Sequence, residues 1–189
     1  MNAKKTSMLQ EGFLMRPMQS GKDLLKITHR FLFPWSTPEK TQTIWETYAL
    51  EQEEGIRTVF VIENQNEILG YGSFLRKSEN PTFQGSNIPE VNAIWIDESC
   101  RRQGLGKALI QAIECLALEE GYHQIGIGVG LYQDYGPAQR LYFQLGYIPD
   151  GNGITYRGAI TKPGESYPLD DDLLLWLVKP LAKTQGLKQ

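Results

Sequence analysis

The chain has 189 residues, 41% of them hydrophobic and 22% charged, with a formal net charge of -3. That length suits a single domain over residues 1–189, long enough to bury a proper interior. The slight acidity argues against a nucleic-acid partner, which calls for a basic excess, and no apolar run reaches bilayer-spanning length. The polar stretch from Met1 to Gln10 has no signal-peptide pattern. Cys100 and Cys115 lack metal-ligand or CxxC spacing and suit a reducing compartment, so a cytoplasmic domain of enzyme size with no metal is expected.

In chain order, Met1 to Glu11 reads as a loose end and Phe13 to Met18 as a short first strand. Asp23 to Arg30 reads as a helix, interrupted by the aromatic segment Phe31-Leu32-Phe33-Pro34-Trp35. Thr37-Pro38-Glu39 starts a second helix, with Thr as N-cap and Pro at the first helical position. That helix carries Ile44, Trp45, Tyr48 and Ala49 and ends at Gly55. Thr58–Ile62 and Glu67–Leu75 are strands joined by the hairpin composition Asn64-Gln65-Asn66. Ser78 to Pro89, polar with two prolines, reads as a connecting loop.

The most informative stretch follows. Val91 to Ile96 is a β-branched apolar run of strand length, and Arg101-Arg102-Gln103-Gly104-Leu105-Gly106 is a basic turn with glycines. Leu105, Leu109, Ala112, Ile113 and Leu116 then recur as one buried helix face, ending at Gly121, a natural C′ residue. Strand, turn and helix start bring backbone N–H groups and the positive end of a helix dipole to one point, an anion site. It is neither a Rossmann fingerprint nor a P-loop, because Gly104-Leu105-Gly106-Lys107-Ala108 lacks the third glycine and the Ser/Thr.

Gln124 to Gly130 alternates a β-branched residue with glycine. Interior glycines weaken a strand, so something must approach its backbone closely, either a ligand or a tightly packed helix. Gly136 to Tyr147 is a helix with an early proline, a closing glycine and an apolar face of Ala138, Leu141, Tyr142 and Leu145. Gly151–Tyr156 and Leu173–Val178 read as closing strands.

Arg101, Gly104 and Gly106 fit [R/Q]-x-x-G-x-[G/A], which resembles the pyrophosphate loop of the GNAT superfamily of N-acetyltransferases. Ala138, Leu141, Tyr142, Gly146 and Tyr147 resemble that superfamily's A-x-x-L-Y-x-x-x-G-[F/Y]. The resemblance covers about residues 13–180. It implies an α/β (α+β) GNAT fold: a mixed, mostly antiparallel central sheet flanked by helices and splayed between its fourth and fifth strands. It also implies acetyl-CoA as co-substrate and tilts the glycine-alternating strand toward a ligand, since the splay admits the pantetheine arm.

Under that resemblance the pyrophosphate is met by the backbone from Arg102 through Gln103, Gly104, Leu105 and Gly106 to Lys107, with charge from Arg101, Arg102 or Lys107. The pantetheine amides pair with the backbone of Ile94, Trp95 and Ile96. Tyr142 is the general acid for the leaving thiolate. Glu90, eleven residues before Arg101, stands where several members carry a catalytic base. It is otherwise a solvated residue at a strand start. Glu90 and Asn92 share one strand face with Ile94 and Ile96. Tyr135 replaces an asparagine that often bonds pantetheine. Phe33 and Trp35 either line an acceptor pocket or pack the helices onto the sheet. The expected activity is acetyl transfer to a primary amine, on a small molecule or a protein, by a monomer or homodimer able to self-pair its C-terminal strand. The competing expectation is an acyl-CoA-binding sensor without turnover.

Overall fold

Two helix starts and one hairpin set the first part of the chain. In the computed structural model, residues 7–8, 12–31 and 36–182 are described. The chain forms two compact units, residues 1–75 with 93–111, and residues 76–92 with 112–189. Among the described residues no helix is long and apolar enough to cross a membrane. Nor could any group of three or more His, Cys, Asp or Glu there hold a metal ion.

The first unit contains β1 (Ser7–Met8), β2 (Leu14–Pro17), α1 (Ser20–Arg30), α2 (Pro38–Glu53), β3 (Arg57–Asn64) and β4 (Glu67–Leu75). It also holds the second half of β5 (Glu90–Ile96) and the start of α4 (Leu105–Glu119). β1 to β4 pair antiparallel in sequence order, with β5 next to β4. The β3–β4 turn places Gln65 and Asn66 at φ of 48° and 73°, the two left-handed positions that a tight hairpin needs. The Thr37 side chain accepts from the Lys40 N–H at 3.3 Å and starts α2 with Pro38 in its first turn, as the sequence reading expects. The interior is built from Met18, Ile27, Phe31, Trp45, Val59, Val61 and Tyr71. Phe31, the described end of the aromatic segment, stands edge-on to Tyr71 and Trp95, at centroid distances of 5.1 and 4.7 Å. Its role is packing. Phe33 and Trp35 lie outside the described residues.

The second unit contains α3 (Pro81–Gly85), the first half of β5, the rest of α4 and β6 (Gln124–Gly130). It continues with α5 (Gly136–Gln144), β7 (Ile148–Tyr156), β8 (Ala159–Ile160) and β9 (Leu173–Pro180). The strand order is β5-β6-β9-β7-β8, with β5 and β6 parallel and every other pair antiparallel. The mixed, mostly antiparallel sheet with helices is therefore the expected one. Because β1 precedes the first predicted strand, the expected fourth and fifth strands are β5 and β6. Their parallel ladder spans only Glu90–Gly126 and Val91–Ile127.

Four expectations change. The expected loose end Met1–Glu11 contains β1, whose Ser7 and Met8 pair antiparallel with Met15 and Leu14 of β2. Residues 78–89 are not a plain loop, because Asn80 caps α3, accepting from the Thr82 and Phe83 N–H groups at 2.8 and 3.2 Å. Strand β8 has no signal in the sequence beyond a two-residue run. β9 pairs with β6 on one edge and β7 on the other, so the C-terminal strand has no edge left for self-pairing.

Candidate functional site

The turn after β5 is ordered by its own polar groups. Asp97 Oδ1 accepts from the Ser99 N–H at 3.0 Å and from Ser99 Oγ at 2.6 Å, starting a single 3-10 turn over Glu98–Cys100. Arg101 folds back, its Nε donating to the Ile96 carbonyl at 3.0 Å and Nη1 reaching Glu98 at 3.3 Å. These bonds tie the turn to β5. Arg102 and Gly104 take φ of 62° and 79°, which turns the backbone sharply into α4. An added Cβ at Gly104 would meet no atom within 4 Å. The first bond of α4 runs from the Ala108 N–H to the Gly104 carbonyl at 3.0 Å. The amides of Leu105, Gly106 and Lys107 precede it and form the helix's open first turn. Leu105 buries its side chain, so only its backbone can serve a ligand. Arg102 and Lys107 are exposed and enter no ion pair among the described residues. The turn therefore brings the first-turn amides of α4 into the same short segment as two exposed cations, Arg102 and Lys107.

β5 carries Ala93 at φ 51°, a left-handed position that costs a non-glycine residue and bends the strand. This interrupts the two-residue alternation, so the shared face cannot be carried from Glu90 and Asn92 to Ile94 and Ile96. In the first unit, Ile94, with Leu109 of α4, fills the space left by Gly72, and Ile96 fills that left by Gly70. Trp95 packs against Phe31 and Tyr71. What these three residues could offer a ligand is backbone.

In the second unit, Glu90 is 5% exposed, which removes the reading of a solvated strand start. Its Oε1 accepts from Asn92 Nδ2 at 2.8 Å, and its Oε2 accepts a short bond from Ser78 Oγ. Asn92 is thereby engaged with Glu90, and Ser78 is a functional candidate that the sequence reading passed over. A hydroxyl in a polar loop has no distinguishing pattern.

The β6 glycines are explained by the protein's own rings. A Cβ at Gly126 would overlap the Phe83 ring, one at Gly130 the Tyr135 ring, and one at Gly128 would stand 3.1 Å from Trp176. Of the two readings left open for this strand, close packing accounts for its glycines, and it is done by three aromatic side chains. Tyr135 is committed further, its hydroxyl donating to Asp171 Oδ1 at 2.9 Å beside Tyr132, which donates to the same oxygen. Burial and that carboxylate push the Tyr135 phenol up. Its hydroxyl already has a partner where the family's asparagine would bond pantetheine.

α5 starts with Pro137 in its first turn, and Gly146, φ 90°, closes it just past its C-cap Leu145. There the Tyr147 N–H reaches the Tyr142 carbonyl and the Gly146 N–H the Phe143 carbonyl, both at 3.0 Å, a Schellman closure. Gln139 Nε2 bonds the Gly130 carbonyl at 2.7 Å and ties the helix to the end of β6. Tyr142 is 7% exposed, and burial alone pushes its phenol up to about 12. No described residue hydrogen-bonds its hydroxyl. The hydroxyl is not among the fully enclosed unpaired side-chain atoms of the described residues, so the ring is buried while its polar tip stays open.

Residues 22–147 match the family model of the acetyltransferase (GNAT) family. No curated protein sequence matches the chain. Among solved structures it is similar to the acetyl transferase of Salmonella typhimurium that modifies the N-terminal serine of ribosomal protein L7/L12. That match has a TM-score of 0.65 and 15% identity, covering 94% of this chain and 100% of the other. An N-acetyltransferase from Staphylococcus aureus Mu50 matches at TM-score 0.64 and 19% identity, over 90% and 99%. A ribosomal L7/L12 alpha-N-protein acetyltransferase in complex with coenzyme A matches at 0.63 and 15%, over 94% and 98%. At these identities the likeness is one of fold.

Proposed function

The chain belongs to the acetyltransferase (GNAT) family, and on that premise we propose that it moves an acetyl group from acetyl-CoA to a primary amine by direct attack in a ternary complex. The observation that carries this reading is the turn from Arg101 to Lys107, with its positive-φ bend, the open amides of Leu105–Lys107 and the exposed cations Arg102 and Lys107. Such a turn suits a pyrophosphate, which needs several N–H donors and positive charge at once. The backbone of Ile94, Trp95 and Ile96 would pair with the pantetheine amides as an added strand does. A strand N–H there would polarise the thioester carbonyl as charge builds on its oxygen.

The amine lone pair attacks the thioester carbon, the C–S bond breaks on collapse, and the departing sulfur takes a hydrogen bond and then a proton from Tyr142. With its phenol near 12, Tyr142 stays protonated throughout the physiological range. It is a weaker acid than a free phenol and yields its proton only as negative charge develops on sulfur. The proton lost by the amine passes to Glu90, directly or through water. The acceptor is a small-molecule or protein amine, and the chain works as a monomer or homodimer.

The test is coenzyme A release measured with acetyl-CoA and a panel of peptides with free N-termini, polyamines, amino acids and aminoglycosides. Release that depends on an acceptor supports the transferase. Tight acetyl-CoA binding with no acceptor-dependent release across the panel would instead support a sensor.

A further inference from the structure

Ser78 is 1% exposed in a segment that otherwise only joins β4 to β5. Its oxygen accepts from the Asn80 N–H at 3.0 Å, which leaves its single hydrogen to point at Glu90 Oε2. Asn80 in turn caps α3, and α3 is seated by Phe83, fully buried against the bare backbone of Gly126. Gly126 is the direct partner of Glu90 in the parallel ladder. A chain of fixed contacts thus runs from β6 through Phe83, Asn80 and Ser78 back to the carboxylate.

We propose that Ser78 is a positioning residue whose hydroxyl orients the Glu90 carboxylate and keeps it ionised for the acceptor amine. This rests on the assignment of the amine's proton to Glu90. A buried carboxylate is costly without donors. Here the hydroxyl of Ser78 from the preceding loop and the amide of Asn92 from the same strand supply them. β6 presents the side-chain-free Gly126 opposite. Neither Ser78 nor Asn92 titrates, so a change in the protonation of Glu90 reports the loss of a donor and not of a neighbouring charge.

The experiment follows the glutamate side-chain carboxyl resonances by 13C NMR across pH. The Glu90 signal is assigned as the one missing from Glu90→Gln. In Ser78→Ala the Glu90 titration midpoint rises on the order of one pH unit, the tenfold change expected for one lost hydrogen bond to a charge. Ser78→Cys, close to serine in volume and a weaker donor, moves it the same way by less, and serves if the alanine variant folds poorly. With the acceptor found active in the coenzyme A release assay, the acid limb of kcat/KM shifts upward with the midpoint in both variants and disappears in Glu90→Gln. An unmoved midpoint in both variants overturns the role of Ser78. A Glu90→Gln enzyme with wild-type rates and an unchanged acid limb overturns the assignment of Glu90 itself, whatever the midpoint does.

Discussion

Gly104 and Gly126 are the same residue used for opposite reasons. Gly104 sits at φ 79° with no atom within 4 Å of where a Cβ would be, in the turn that opens α4. Gly126 has ordinary strand geometry, and the space a side chain would need is occupied by the ring of Phe83. One glycine supplies a backbone conformation in open surroundings. The other leaves room for the protein's own interior. In sequence both are simply glycines beside an apolar strand or helix, and only the packing shows that one of them faces a filled socket.

The comparison breaks first at the filled socket. Gly126→Ala forces a methyl into a buried ring, and the fold should lose about 3 kcal/mol by chemical denaturation, the upper part of the range for overpacking. Pairing it with Phe83→Leu should recover part of that loss. If Gly126→Ala is neutral, the glycine is not there for the ring.

Tyr142 lies in a packed setting, yet its hydroxyl is without a partner among the described residues. Tyr142→Phe should lower kcat about a hundredfold, a typical contribution from one general acid, with acetyl-CoA affinity unchanged by calorimetry. Rates equal to wild type on every active acceptor would remove the acid role.

The same side chain gives a pH signature. Its folded value near 12 lies above the ordinary phenol value of about 10. The folded state therefore holds the proton more tightly, and the stability this contributes is complete below pH ~10. As pH climbs from about 10 to about 12, up to roughly 2.5 kcal/mol is lost. Alkaline denaturation should show a shallower decline in Tyr142→Phe than in the wild type, the remainder coming from the other raised phenols, Tyr71, Tyr132, Tyr135 and Tyr147.

The smallest effect belongs to the open turn. Gly104→Ala meets no atoms, so only the positive φ is strained, at a cost of about 1 kcal/mol. Its larger mark should be on coenzyme A affinity, which falls by up to about tenfold by calorimetry if the turn's amides bind phosphate. An unchanged affinity with the expected small loss of stability would leave the turn purely structural.

Much of this was legible because it is local. Thr37 and Pro38 announce α2, Gln65 and Asn66 the hairpin, and Gly121 and Gly146 the ends of two helices. Each needs only its own neighbours to set φ or satisfy an N–H. The turn from Arg101 to Lys107 was readable for the same reason, since strand, bend and helix start are contiguous in the chain. Ala93 was not. Its left-handed φ has no sequence cue in an alanine, and it defeats the alternation used to place Ile94 and Ile96 with Glu90. Ser78 was equally hidden, because a serine gains its meaning from a carboxylate twelve residues away.

By itself, then, the order of residues determined the longer elements, though not β1, α3 or β8, together with the family to which the chain belongs, through motifs whose physics is that of a single turn or helix end. Tertiary structure alone decided that Phe83, Trp176 and Tyr135 fill the glycines of β6, that Glu90 is buried between Ser78 and Asn92, and that β9 has no free edge. Those outcomes depend on which distant side chains arrive in the same volume. No periodicity encodes that, because it is settled by the exclusion of one atom by another and by the need of each buried polar group for a partner.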